Sequence, residues 1–155
     1  MDKELLVRRY KHFCEFYKLN PRMAVLNGSG GCVMYGVRDQ APALNIDIPD
    51  QLFNRLKNSG QYTHGRQMNR EFVQWNNFIF LHRHSSTMKV YRVEDVYVYS
   101  PKDIIRQKTT LLGSKLRPSD KRAQDLLDIE RLKVFMDEAQ LRQKPLTPWP
   151  TSRVI

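Results

Sequence analysis

Apolar residues near the start of the chain fall three and four apart. Leu5, Leu6, Tyr10, Phe13, Cys14 and Tyr17 would share one face of a helix over residues 3–18. Pro21 in "LNPR" disfavours helical geometry at Asn20 and ends that helix. The pattern then shortens. "MAVLN" is expected to be a short buried strand, the glycines of "GSGG" a tight turn with close backbone approach, and "GCVMYG" a short helix behind it. "ALNIDIP" alternates up to Pro49 and predicts a second strand. "PDQLFNRLKNSG" predicts a compact helix with Leu52, Phe53 and Leu56 inward and Gly60 just past its end.

The polar run "QYTHGRQMNR" has no period and is expected to be a loop. "EFVQWNNFIFLHRH" predicts a hairpin turning at Asn76-Asn77, and "KVYRVEDVYVY" one or two strands with a break at Glu94-Asp95. At "SPKD" the pattern becomes helical again. Ser100 is a candidate N-cap, Pro101 suits the first helical position, and Asp103 follows the cap by three. Ile104, Ile105, Leu111 and Leu112 would be the inner face. Beyond Pro118 a longer helix is expected over 119–142, with Ala123, Leu126, Leu127, Ile129, Leu132, Phe135 and Ala139 as its apolar stripe. The last residues, "QKPLTPWPTSRVI", are too proline-rich for helix and should run extended. This order predicts an α+β fold: a small mixed sheet flanked by helices, then a C-terminal helical pair. Residues 1–142 would be one domain and 143–155 a tail.

Composition narrows the class. Hydrophobic residues make up 41% of the 155-residue chain, enough for one core without staples. No apolar run approaches the roughly 18 residues that cross a bilayer, so no membrane partner is expected. The opening "MDKELLVRRYKHF" is charged and helix-patterned, unlike a signal peptide. Cys14 and Cys32 are too few for a disulfide framework, so a cytoplasmic setting and two buried thiols are expected. Lysine and arginine number 26 against 16 acids, a net charge of +10, which favours a polyanion such as nucleic acid or a nucleotide.

The candidate chemistry lies between Val25 and Pro49. A Gly-Ser turn leading into a helix offers amides and a hydroxyl to phosphate oxygens. Asn45 and Asp47 are two apart on a strand and face the same way. An aspartate there offers a divalent cation a hard oxygen, and a buried acid without a partner would be costly. The order "VLNGSGG", "YGVRDQ", "LNIDIP", then "VYVYSPKDIIRQKTTLLGSKLRPSDKRAQDLLDIERL" resembles the minimal nucleotidyltransferase fold, in the branch of abortive-infection toxin nucleotidyltransferases and their relatives. The resemblance spans roughly residues 23–132. It implies that Gly28, Ser29, Arg38, Lys108 and Arg117 contact a nucleoside triphosphate, that Asp47 is a magnesium ligand, and that Asn45 and Asp47 form the catalytic pair. Asp125 and Asp128 match the family's downstream polar set, although three apart on a helix they are expected to pair with nearby cations.

Two positions depart from that pattern. Asn45 stands where the first acid belongs, and "FVQWNNFIFLHRH" has no clear third acid. His82 and His84 lack an evident third ligand and are expected to be ordinary core or surface histidines. Trp75, Phe78, Phe80, Tyr91, Tyr97 and Tyr99 are expected to pack the sheet rather than stack on bases. Three functions follow: a magnesium-dependent transfer of a nucleotide to a nucleic-acid or protein hydroxyl; a non-catalytic basic binder of nucleic acid on the same scaffold; or an antitoxin-like inhibitor docking on an acidic protein.

Overall fold

The computed structural model describes residues 1–67, 70–84 and 87–141. Helix α1 (Lys3–Phe16) starts where the Asp2 side chain accepts the Leu5 amide. It buries Leu6, Tyr10, Phe13 and Cys14, the face its spacing predicts. A single 3₁₀ turn at Pro21–Met23 leads into β1 (Val25–Asn27), then α2 (Gly28–Met34), β2 (Leu44–Ile48) and α3 (Asp50–Asn58). Five further strands follow: β3 (Thr63–Gln67), β4 (Arg70–Asn76), β5 (Ile79–Arg83), β6 (Val90–Val93) and β7 (Val96–Tyr99). Helices α4 (Pro101–Leu112) and α5 (Ser119–Leu141) complete the fold.

The seven strands form one mixed sheet in the order β3-β4-β5-β2-β1-β7-β6. β1 runs antiparallel to β2 and parallel to β7, and β2 runs parallel to β5. The strand at Thr63–Gln67 corrects the expectation of a loop there. It is an edge strand exposed along most of its length, so hydrogen bonds to β4 hold it and no apolar alternation marks it. The break at Glu94 is a residue with φ of +56°, which turns β6 back onto β7.

On β2 the two faces separate cleanly. Leu44, Ile46 and Ile48 are fully buried and face α2, because Gly30 of that helix sits over Leu44 and Leu26. Asn45 and Asp47 point to the opposite face. The stretch "GSGG" is the beginning of α2 and not a free turn. Gly28 has φ of +58° just after the Asn27 cap, where a Cβ would be strained. At Gly31 an added Cβ would stand 2.6 Å from Ile104 Cδ1 and 3.2 Å from Val98 Cγ1. These glycines serve close packing of helix on sheet and helix.

α4 starts as its sequence predicts. Ser100 Oγ accepts the Asp103 amide and donates to Asp103 Oδ2 at 2.8 Å, and the same oxygen accepts the Lys89 amide. The expected stripe of α5 needs correcting. Leu126 and Leu127 are 58% and 38% exposed, and Ala123 also faces outward. The buried line is instead Asp125, Asp128, Ile129 and Leu132, with Phe135 against Tyr35. Acids occupy the inward positions because Lys108 of α4 is buried opposite them. The extended tail expected from 143 lies outside the described residues. No helix among the described residues is long and apolar enough to cross a membrane.

Candidate functional site

Three strands bring the candidate residues together. Asn27 on β1 pairs in register with Asn45, and Val25 with Asp47. On the other side Asp47 pairs with His82 of β5. The Gly28 backbone is adjacent: a Cβ there would lie 3.8 Å from Asn45 Nδ2. The Gly28-Ser29 segment and Asn45 are thus neighbours.

Asp47 is fully buried. Its Oδ2 accepts a 2.6 Å hydrogen bond from the Tyr99 hydroxyl and a 2.7 Å bond from Arg70 Nη2. Tyr99 reaches over β1 from β7, and Arg70 reaches over β5 from β4, so the carboxylate is gripped from two strands away on each side. The same Arg70 nitrogen also donates to the Arg83 carbonyl at 3.1 Å. Charge-assisted bonds of this length are the strong kind, and a guanidinium there neutralises the buried carboxylate.

Beside it, His82 is 6% exposed. Burial, then the charge of Arg70, pushes its imidazole down to about 4, so it is neutral at pH 7. Nδ1 lies 3.2 Å from the Glu71 carbonyl and Nε2 lies 3.0 Å from Asn45 Oδ1. A neutral ring has one N–H. Both neighbours are acceptor oxygens, so the single N–H serves either the Glu71 carbonyl from Nδ1 or Asn45 Oδ1 from Nε2, according to the tautomer. On the other face of β4, Glu71 is a second hub. Lys57 and His64 each reach its Oε2 at 2.7 Å, Arg83 adds two bonds to Oε1, and these hydrogen bonds, that of Lys57 foremost, pull the carboxyl down to about 2.

The other candidate residues lie around the helical pair. Lys108 is 4% exposed, its Nζ 3.1 Å from both Asp125 Oδ1 and Asp128 Oδ2. Arg117 forms a two-pronged pair with Asp125 at 3.0 and 3.1 Å. Arg38 meets Asp128 at 3.1 Å and also donates to the Gln40 carbonyl. Lys108, Arg117 and Arg38 therefore form one ionic cluster with the buried Asp125 and Asp128, which locks α4 to α5 and ties the loop after α2 to α5. The expected placement of these three cations against a triphosphate is not what the geometry favours, since their charge is spent on internal acids. Cys14 and Cys32 are buried free thiols, raised by burial to about 11 and about 12.

The donor set fits a magnesium ion poorly. Asp47 supplies one carboxylate whose Oδ2 already holds Arg70 and Tyr99, Asn45 faces His82, and the partner across β5 is a neutral imidazole. Among the described residues, no group of three or more His, Cys, Asp or Glu side chains is arranged to hold a metal. Sequence reasoning missed Arg70 and Tyr99 as members of this region. His82 carried a usable signal: it follows Asp47 on the strand that the fold places beside β2. Arg70 carried none, because it sits in a segment without apolar period.

Comparisons of the chain with protein-family models, with curated proteins and with solved structures gave no match.

Proposed function

We propose that the chain is a non-catalytic domain of nucleotidyltransferase-like fold that binds nucleic acid through the outer surface of α4 and the α4–α5 turn. The observation that carries the non-catalytic reading is the state of Asp47, buried beneath Arg70 and Tyr99 with a cation already on its oxygen. Transfer of a nucleotidyl group needs carboxylates that gather divalent charge at the reacting phosphate, and one neutralised acid does not supply that field.

The binding half rests on how the cations divide. Lys108, Arg117 and Arg38 are turned inward to acids, whereas Lys102, Lys115 and Lys121 are exposed around the same helix junction, as is Arg106, which also meets Asp103 at 3.2 Å. The α4–α5 turn that presents them is itself held in shape. Ser114 Oγ accepts the Leu116 amide, and Arg122 donates to the Ser114 carbonyl at 2.9 Å. With about four cations on phosphates, log affinity should fall against log salt with a slope of about −3.

Binding of single- and double-stranded oligonucleotides across a salt series tests this. Lys115→Glu with Lys121→Glu should weaken binding more than tenfold at low salt and flatten the salt slope, while Asp47→Asn should leave affinity unchanged. Retention of neither nucleic acid at low salt would sink the binding reading. Magnesium-dependent transfer of a labelled nucleotide that Asp47→Ala abolishes would instead establish the transferase, a reading favoured by the closeness of Gly28 to Asn45.

A further inference from the structure

Helices α1 to α4 lie on one face of the sheet, with α5 packed on α4. Gly30 of α2 meets Leu6 of α1 and Leu26 and Leu44 of the strands, and Gly31 meets Val98 and Ile104 of α4. The Arg83 guanidinium, in register with Ile48, sits 4.4 Å over the Phe53 ring of α3. Alternate residues of each strand therefore point the other way.

On that opposite face, β4 and β5 carry Phe72 and Phe80. Register fixes this. Phe80 pairs with Asn45 on one side and Gln74 on the other, and Phe72 pairs with Gly65 of the edge strand. The two rings stand 5.5 Å apart at 71°, and both residues are partly exposed. Gly65 makes room for one of them, since a Cβ there would lie 2.9 Å from Phe72 Cζ. Around the rings are the uncharged polar side chains of Asn45, Gln74 and Thr63. The Arg70 guanidinium joins them, 37% exposed even with Nη2 on Asp47 and the Arg83 carbonyl. Among the strand residues, Asp47 is the one acid of this face, and it is fully buried against Arg70. Glu71 points to the helical side, where Lys57 of α3 holds it.

Partly exposed rings beside amides and a guanidinium match the chemistry of unpaired nucleobases on a polyanionic strand. A base offers a π-face to a ring and an edge to an amide, and its phosphate suits the cation. Geometry disfavours a duplex. Its base faces are hidden within the stack, and rings crossing at 71° do not both face one continuous stack, whereas splayed bases of a single strand take one ring each. The net charge of +10 supplies the longer-range attraction.

We propose that the β4–β5 part of this face is a stacking platform for single-stranded nucleic acid, with one base on Phe72 and the next on Phe80. The platform rests on the nucleic-acid reading above and adds the strand state recognised and the place where bases, as distinct from phosphates, are held.

Fluorescence anisotropy of the full chain with a labelled oligouridylate of about twelve nucleotides, and with a duplex of the same length, tests this. Phe72→Leu and Phe80→Leu should each weaken single-strand binding about fivefold or more, with duplex affinity and melting temperature as in the parent. Phe72→Tyr, which keeps the ring, should keep single-strand affinity. With 5-iodouridine in the oligomer, light-induced adducts should map to peptides holding Phe72 or Phe80. Single-strand affinity indifferent to both leucine variants would overturn the proposal, as would equal losses for single strand and duplex, or adducts confined to α4 and α5. Binding of the duplex without the single strand refutes the platform and leaves the nucleic-acid reading standing. Binding of neither refutes both.

Discussion

Replacing Lys108 with methionine separates a structural role from a nucleotide-binding one. The ammonium group, 5% exposed, stands 3.1 Å from one oxygen of Asp125 and 3.1 Å from one of Asp128. Methionine keeps the aliphatic stem and removes the charge. Deleting one partner of a buried ion pair costs roughly 3–5 kcal/mol, because the other charge is left in a medium that solvates it poorly. Here each acid keeps some support. Asp125 retains both prongs of Arg117, and Asp128 retains Arg38 and a 2.8 Å bond from Gln124. The loss should therefore fall at the low end, about 3 kcal/mol. Urea unfolding reads it as a lower midpoint at unchanged slope. Adding Asp128→Asn should give a double variant more stable than the sum of the two single losses, by about 1–3 kcal/mol of coupling. A Lys108→Met protein within about 1 kcal/mol of the parent, with nucleotide affinity cut instead, would refute the clamp and return Lys108 to a ligand site.

Two further outcomes follow from the same packing. The imidazole of His82 sits at about 4 in the folded chain against 6.5 in the unfolded one, so between those values the unfolded state binds more protons. Stability is then present above about pH 6.5 and is lost as pH falls toward 4, by about 3 kcal/mol in all. Glu71, pulled to about 2, loses its contribution only below its ordinary 4.5, so the upper window belongs to His82. His82→Gln should flatten the thermal-melting profile there, and an unchanged profile would contradict the burial argument. Gly31→Ala should cost about 1–3 kcal/mol by driving a methyl into Ile104 and Val98, and Ile104→Val should recover part of it; a neutral Gly31→Ala would mean α2 is less tightly seated than the geometry states.

Periodicity in the chain was informative where a face is apolar and silent where it is not. α1, β2 and α4 were legible because Leu6 and Phe13, Ile46 and Ile48, and the Ser100 cap each follow a local rule. β3 was not, since an exposed edge strand satisfies its backbone through β4 and demands no alternating side chains. The inner face of α5 was misread for an electrostatic reason. A buried lysine on the neighbouring helix makes acids the inward residues and displaces Leu126 and Leu127 to the surface, which no single-helix pattern reveals. At the candidate site, the strand alternation correctly set Asn45 and Asp47 side by side. Their partners Arg70 and Tyr99 come from strands 23 and 52 residues later, beyond the range of local signals.

Charge counting explains why this arrangement is self-consistent. A buried carboxylate must meet about one compensating positive charge, or it shifts to its neutral form. Two acids on one strand face would place two negative charges there, which a divalent ion balances and one guanidinium does not. With Asn45 in the first position, Asp47 alone remains, and Arg70 balances it one for one. A divalent ion added to this pair would leave a surplus of positive charge beside Arg70, in a region where His82 is already kept neutral by burial and by that same guanidinium. The asparagine, the neutral histidine and the arginine are therefore one choice seen three times. Each is what a site carrying a single anionic charge requires, and Tyr99 fits the same logic by adding a hydrogen bond to the carboxylate without adding charge.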